Sequence, residues 1–410
     1  MLTRLLIVAH NDFQGGAGRA TRNLHKALLD YGAEQGIEST LWVINSNQPL
    51  PRTRVGYPGG PFRRAVTRVK ANASRFFSKT FLESDGEIRS IAWITTGLAK
   101  EINASEFDVI LFSWLGDATI SIEELGKIRR PVYLFMHDYW FLSAPRHFPI
   151  TDGGTTQTFS IPKRLEKPLA EWMRERFYRS WPRTFVALCP TTALRNTLTA
   201  SSELFRSAEV CENTIDSSFW CPATTGSERR DFGLSPEKPI VLFVSFGGRT
   251  NPRKGYRFLL ESLDSGDWDS EVQLMIAGET GEEEDFSWGR VFPLGDLDSS
   301  EMRDAYRAAH VVALPSVQEV QPLTGLEALA CGTSVVALRG FGPTAAIARQ
   351  GARVFLATRE PVEFGRTLRH VALSKYRASA PRPYRANPKN TSGRLAVRSL
   401  RKALNKTQCT

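Results

Sequence analysis

Short apolar runs that end on polar residues recur along this chain and alternate with segments of helical periodicity. "RLLIVAH", "STLWVIN", "FDVILFSW", "RPVYLFMHD", "TFVALCPTT" and "AEVCENTID" occupy the first half; "KPIVLFVSF", "EVQLMIAG", "VVALPS" and "TSVVAL" follow in the second. Strands alternating with helices return each strand in the same direction, so the pattern predicts α/β architecture on mainly parallel, doubly wound sheets. Such sheets bind ligands beyond the carboxyl ends of their strands, which is where the closing polar residues fall. One helix is legible in detail: Leu24, Leu28 and Tyr31 of "RATRNLHKALLDYG" recur at helical spacing, with Gly32 placed to close it.

At 410 residues the chain exceeds one ordinary core, and two domains are expected. The connector "CPATTGSERRDFGLSPE" separates two stretches of the same grammar. The expected division is a first domain over 1–222, a linker over 223–236, a second domain over 237–360 and a basic C-terminal segment over 361–410, helical again at "SGRLAVRSLRKALNK".

The net charge of +10 is concentrated. Residues 39–82 hold eight Lys/Arg and no acid, and residues 361–410 hold twelve with only Glu363, so the rest of the chain is net acidic. Patches of this kind meet lipid headgroups, phosphorylated substrates or nucleic acid. In "FRRAVTRVKANASRFFSK", Phe62, Val66, Val69, Ala73 and Phe76 share one helical face, with arginines and lysines elsewhere. A basic amphipathic helix over 62–79 reads as peripheral attachment to an anionic membrane surface, or as a surface helix packed on the first domain. Nucleic acid is not expected, because RNA- and DNA-binding signatures are absent and the basic segments lack a base-stacking motif. The five cysteines show no CxxC or Cys/His spacing, which predicts reduced thiols and no metal site. The N-terminal apolar run is too short for a signal peptide or a membrane span, so a cytoplasmic protein is expected.

Candidate site residues gather in the second half. Glu319 and Glu327 lie eight positions apart in "PSVQEVQPLTGLEALACGTSVVAL", around a helix barely two turns long. Two carboxylates beside a helix N-terminus suit a polyol, since each accepts two hydroxyl hydrogen bonds while the helix end attracts a phosphate. Thr324 three positions ahead of Glu327 also makes a capping-box pattern, with Gly332 to close the helix, so Glu327 reads equally as a cap. Glu319 is either ligand-facing or a solvated loop carboxylate. In "GGRTNPRKG", Arg249 and Lys254 follow a strand and precede the helical "YRFLLESL". With the Gly247–Gly248 backbone they suit a diphosphate; the alternative is a run of solvated loop charges.

Taken in order, "GGAGRA", "HDYWFLS", "NTID", "GGRTNPRKG" and "EVQPLTGLEALACGTSVV" resemble the retaining glycosyltransferases of the GT-B fold, family 4, and within it the group of colanic-acid and other exopolysaccharide transferases. The resemblance is poor only in 46–100, 150–185 and 360–410. It implies two Rossmann-like doubly wound domains facing a cleft, the first on the acceptor side and the second holding the nucleotide-sugar. It also implies that a C-terminal helix crosses back to the first domain. By resemblance Glu319 holds hydroxyls of the donor sugar, Glu327 holds the ribose hydroxyls, and Arg249 and Lys254 bind the diphosphate and stabilise its leaving charge. Gly16 lets the backbone approach the same phosphate. His137 contacts the donor sugar near the reacting carbon; by itself it reads as a satisfied strand-end histidine, and Tyr139 and Trp140 read as packing residues.

The implied reaction moves a sugar from a UDP- or GDP-type donor to a hydroxyl of a glycan or lipid-linked acceptor, with retention and with neither cofactor nor metal. No carboxylate is evidently placed for a double displacement. The resemblance implies front-face attack instead, with the leaving phosphate taking the acceptor's proton. Asp267/Asp269 and Asp296/Asp298 read as loop acids, the second pair just ahead of a helix, where acids are favoured. Ser113 and His310 stand where many relatives have His and Asp, and "GFGPTAAI" lacks a usual Pro-Glu pair; these departures spare the donor set and bear on the acceptor. Two other functions stay open: a noncatalytic nucleotide-sugar-binding subunit of a transferase complex, and a nucleic-acid-binding protein.

Overall fold

The computed structural model describes residues 2–81, 89–116, 118–148, 163–181, 185–201, 203–222, 228–235, 237–245, 248–268, 271–340, 353–377 and 392–408. The chain divides into two compact units, Met1–Thr214 with Ser392–Thr410, and Ile215–Thr391.

The first unit runs β1 (Thr3–Asn11), α1 (Gly15–Tyr31), β2 (Ile37–Asn45), β3 (Thr53–Val55), α2 (Pro61–Phe81), α3 (Leu98–Asn103) and β4 (Val109–Ser113). It continues with α4 (Ile122–Leu125), β5 (Val132–Phe135), α5 (Trp140–Ser143), α6 (Lys163–Ser180), β6 (Val186–Cys189), α7 (Thr192–Ser201) and β7 (Ser207–Val210). The strands form one parallel sheet in the order β3-β2-β1-β4-β5-β6-β7. Both faces are covered, which is why the inner strands read as unbroken apolar runs. The strand order reverses between β1 and β4, the switch point at which an open α/β sheet presents a crevice.

Helix Ser392–Gln408 belongs to this unit. Its Val397, Leu400 and Leu404, at helical spacing, pack with Leu24, Ala27 and Leu28 of α1 in the sheet's core. Arg394 meets Glu34 and Lys406 meets Glu209 at the rim, so part of this helix's basicity has local partners. In α2 the buried face is Thr67, Ala71 and Ser74, while Phe62, Val66, Val69, Ala73 and Phe76 are exposed.

The second unit contains α8 (Glu228–Asp231), β8 (Ile240–Val244), α9 (Tyr256–Asp264), β9 (Val272–Ala277), β10 (Glu284–Phe286) and β11 (Gly289–Gly295). Then come α10 (Ser299–Ala308), β12 (Val311–Leu314), α11 (Leu323–Ala330), β13 (Ser334–Leu338), β14 (Val354–Ala357) and helix Pro361–Arg377. Its sheet order is β10-β11-β9-β8-β12-β13-β14, parallel except for the β10/β11 pair. Here the order reverses between β8 and β12. Phe364, Leu368 and Val371 of helix Pro361–Arg377 pack in the core on α9's side of the sheet.

The division at Thr214/Ile215 lies upstream of the expected boundary at 222/223, and the expected linker 223–236 falls inside the second unit. Apolar residues just ahead of and within that polar connector explain the difference. Phe219, Trp220, Phe232 and Leu234 pack with Met302 and Tyr306 in the unit's core, so the connector is structural where it is described. Residues 223–227 and 236 lie outside the described residues.

Candidate functional site

In the second unit the side chains gather at the β8/β12 switch point. Beyond β8 the chain makes a 3₁₀ turn, Pro252–Lys254, opened by the Asn251 side chain, which accepts from the Arg253 N–H at 3.2 Å. Gly255 closes it at φ +76, and a Cβ there would meet the Pro315 carbonyl, so the turn sits directly on the segment leaving β12. Two contacts fasten the pair: the Val317 N–H donates to the Arg253 carbonyl at 3.0 Å, and Arg253 Nη1 donates to the Gln318 carbonyl at 2.7 Å. Glu319 therefore projects onto the turn. Lys254 Nζ lies 2.5 Å and Arg253 Nη1 3.0 Å from Glu319 Oε1. Burial pushes the Glu319 carboxyl up, but the two cations outweigh it and hold it below the usual carboxylate range. Glu319 is thus an ionised, paired group and not a solvated loop acid.

Arg249 is not part of this cluster. Its Nε lies 2.8 Å from Glu279 Oε1 and its Nη1 2.5 Å from Glu284 Oε1, with the guanidinium 5.4 Å from the centre of the Tyr256 ring. Arg253, which sequence reasoning passed over, takes the position beside Lys254. Gly247 of the expected diphosphate turn lies outside the described residues.

Glu327 is 1% exposed and faces α10, where Tyr306 Oη donates to its Oε2 at 2.9 Å. The capping-box expectation for Thr324 and Glu327 is overturned. The N-cap is Pro322, whose fixed φ starts the helix at Leu323, so Thr324 already lies inside the first turn. Gly332 follows the helix at φ +82, the left-handed conformation suited to the residue after a C-cap.

In the first unit, His137 follows β5 and its Nε2 lies 2.8 Å from Ser113 Oγ at the end of β4. Ser113 Oγ is 2.5 Å from Thr21 Oγ1, and Thr21 donates to the Ala17 carbonyl at 2.8 Å. A carbonyl only accepts, so the single Thr21 proton is committed. Ser113 then donates to Thr21 and accepts from His137, which assigns the proton to Nε2 and leaves Nδ1 as an acceptor. Burial lowers the His137 pKa to about 4, so the ring is neutral at pH 7.

The next residue enters a second network that sequence reasoning missed. Asp138 Oδ2 is 2.5 Å from His147 Nδ1, and His147 Nε2 is 2.8 Å from Ser90 Oγ. Asp138 Oδ1 accepts from the Trp140 N–H at 2.9 Å, and Trp140 Nε1 donates to the Ser90 carbonyl at 2.8 Å. Burial raises the Asp138 pKa, yet the His147 contact and the Trp140 N–H together hold it below the ordinary value. The order Ser–His–Asp matches a hydrolytic triad, but all three side chains are buried and the adjoining cavity is about 10 Å³, room for about one water and no acyl group. The network fixes the loop that carries His137. Trp140 is 2% exposed among Phe141, Phe177 and His147, a packing residue.

Gly16, in the first turn of α1, is exposed, and a Cβ added there would meet nothing within 4 Å. Asp298 caps α10, its Oδ1 accepting from the Ser300 and Glu301 N–H groups, which accounts for that Asp-x-Asp pair as helix start. Asp269 lies outside the described residues. Among the described residues no three His, Cys, Asp or Glu side chains group as metal ligands, and no helix is long and apolar enough to cross a membrane.

Residues 238–372 match the family model described as glycosyl transferases group 1. The D-inositol 3-phosphate glycosyltransferase of Segniliparus rotundus is 31% identical over 160 residues, 36% of this chain and 35% of that protein. The alpha-maltose-1-phosphate synthase of Mycobacterium tuberculosis is 34% identical over 145 residues, 31% of this chain and 36% of that one. The chain thus spans about a third of the length of the curated relatives it matches. These names are not those of exopolysaccharide transferases. Among solved structures, HepE of Anabaena in complex with UDP and glucose is similar over 99% of both chains, with a TM-score of 0.59 and 14% identity. Residues 238–372 are thus similar to glycosyl transferases group 1, and the chain has the GT-B fold, with two α/β units built on mainly parallel sheets.

Proposed function

We propose that this chain is a retaining glycosyltransferase that moves a sugar from a nucleotide-sugar to a hydroxyl of a glycan or lipid-linked acceptor in polysaccharide biosynthesis. The observation that carries the reading is the Lys254–Arg253–Glu319 cluster at the β8/β12 switch point, inside the segment that matches the family model. The polysaccharide context rests on the motif resemblance, and the donor is of UDP or GDP type. Peripheral contact with an anionic membrane through 62–79 belongs to the same reading.

The donor's diphosphate takes Lys254 from Glu319 and draws Arg249 from Glu279 and Glu284. Glu319, released, accepts from the sugar hydroxyls, and Glu327 accepts from the ribose. Within the first unit, and on the motif resemblance, Gly16 leaves the backbone of α1 open to a phosphate and neutral His137 offers its Nδ1 lone pair to a sugar hydroxyl. As the anomeric C–O bond to phosphate breaks, the acceptor oxygen bonds that carbon on the same face and its proton passes to the leaving phosphate. The fixed cations stabilise the charge on the departing diphosphate, the task that a metal ion performs elsewhere, so turnover needs no metal.

Thermal unfolding with UDP-, GDP- and ADP-sugars, for the protein and for Glu327→Ala, tests the donor site. A ligand at about 100 times its Kd stabilises by roughly 2.7 kcal/mol, a shift of a few degrees. A shift with one nucleotide that the variant loses is the expected result; no shift with any overturns the donor site. Turnover of the stabilising donor then separates the enzyme from a noncatalytic binding subunit.

A further inference from the structure

Helix α2 has three sides with three chemistries. Thr67, Ala71 and Ser74 seat it on the first unit, and Ser74 Oγ accepts from Trp93 Nε1 at 2.6 Å. Phe62, Val69 and Phe76, each seven residues apart and so nearly in line, are 84%, 69% and 70% exposed. Arg68 and Arg75, also seven apart, fall on the flank between these faces and border a cavity of about 400 Å³.

The cavity's other walls come from the carboxyl ends of β1 and β2 and include Asn11, Gln14, Asn45 and Ser46. Two cations, several neutral polar groups and no carboxylate line it, a composition that selects an anion bearing hydroxyls. Its place beyond the strand ends of a parallel sheet is where ligands bind, and its volume suits a small headgroup. The helix carries six Lys/Arg and no acid. Aromatic and branched apolar residues set among cations complement a surface that is anionic outside and apolar beneath, which is a bilayer.

We propose that the acceptor is a lipid with a phosphate-bearing headgroup, which enters the cavity between Arg68 and Arg75 while the outer face of α2 lies in the bilayer surface. The inference rests on the glycosyl-transfer reading for the word acceptor, and on the cavity and helix alone for the binding. One helix borders both the cavity and the exposed apolar stripe, so a lipid drawn from the surface under α2 brings its headgroup to the arginines without leaving the membrane.

Two variants of the full chain separate the parts: R68Q/R75Q and F62S/V69S/F76S, all at exposed positions. Dihexanoyl phosphatidic acid, dispersed below its aggregation limit, should raise the unfolding temperature of the parent and of the apolar-face variant alike, but not that of R68Q/R75Q. Phosphatidylcholine vesicles containing phosphatidic acid should sediment the parent, with about tenfold weaker association for F62S/V69S/F76S. Equal stabilisation of R68Q/R75Q, no stabilisation of the parent, or unchanged sedimentation of the apolar-face variant overturns the proposal. Stabilisation by inorganic phosphate as large as by the lipid, without vesicle binding, makes the cavity a site for soluble phosphates and overturns it too. Neither assay contains a nucleotide, so loss of the donor reading leaves these outcomes unchanged.

Discussion

Lys254 Nζ and Glu319 Oε1 lie 2.5 Å apart, and Arg253 Nη1 meets the same oxygen at 3.0 Å. A buried carboxylate held by two cations is a closed arrangement: an anionic ligand at Lys254 must displace it, and the displacement frees a carboxylate for hydroxyl groups. On the proposed function, the pair links arrival of a diphosphate to readiness for a sugar. Lys254→Ala should lower kcat by about 10²- to 10³-fold, the size of removing one fixed group that stabilises developing charge. Folding should suffer less, about 1–3 kcal/mol, because Arg253 still pairs Glu319. Turnover and urea unfolding of the same variant measure both, and a variant with parental kcat removes Lys254 from the mechanism.

His137 carries a pH signature of definite sign. Its folded pKa of about 4 lies below the ordinary histidine value, near 6.5. As pH falls, the unfolded chain takes up this proton first, so stability contributed by the neutral ring declines from about pH 6.5 towards pH 4. His137→Gln, which keeps an amide donor for Ser113, should flatten that part of the stability profile. Urea midpoints at several pH values read the slope, and an unchanged slope means that the ring titrates normally. The parent's kcat should show no His137 inflection between about pH 6 and 8.

The second glutamate offers a comparison of two hydrogen-bond partners. A Thr cap lost to Ala typically costs about 1 kcal/mol. Because Pro322 is the N-cap, Thr324→Ala should show no capping loss, whereas Tyr306→Phe strips a donor from buried Glu327 and should cost about 1–3 kcal/mol. Unfolding free energies of the two variants decide; a larger loss for Thr324→Ala would restore the cap.

Strand–helix alternation makes the central strands legible, because burial on both faces demands uninterrupted apolar runs. The strands without a sequence signal are β3, β10, β11 and β14, at or next to the sheet edges, where β3 and β10 are three residues long and largely exposed. Glu319 is legible from the strand that runs into it. Arg253 is not: in "PRK" two neighbouring cations look alike, and only the turn seated by Gly255 on Pro315 brings both to the carboxylate. The capping box misleads because Pro322, two residues ahead of Thr324, starts the helix early. For α2 the periodicity shows that an apolar face exists but not which way it points; that depends on Thr67, Ala71 and Ser74 fitting against the unit where larger side chains do not. The Ser90–His147–Asp138 chain joins residues 57 and 9 positions apart, and only the fold brings them together.

That chain leads to the last expectation. Asp138 neighbours His137 in sequence, accepts from the Trp140 N–H and pairs with His147, so one carboxylate holds both ends of the loop after β5. Removing the carboxylate leaves two buried donors, the His147 ring N–H and the Trp140 N–H, without their acceptor, at a cost of about 1–3 kcal/mol. Asp138→Ala should lose that much. Asp138→Asn, which can still accept from Trp140, should lose less while disturbing His137 less in turnover. Because Ser90 is buried and the cavity lined by Asp138 and His147 is only about 10 Å³, neither the parent nor the variants should hydrolyse p-nitrophenyl acetate above background. Urea unfolding, kcat and ester hydrolysis on the three proteins test this together. A loss below about 1 kcal/mol for Asp138→Ala means that the pair does not order the loop, and ester turnover that disappears with Ser90→Ala means that the triad is open to substrate after all.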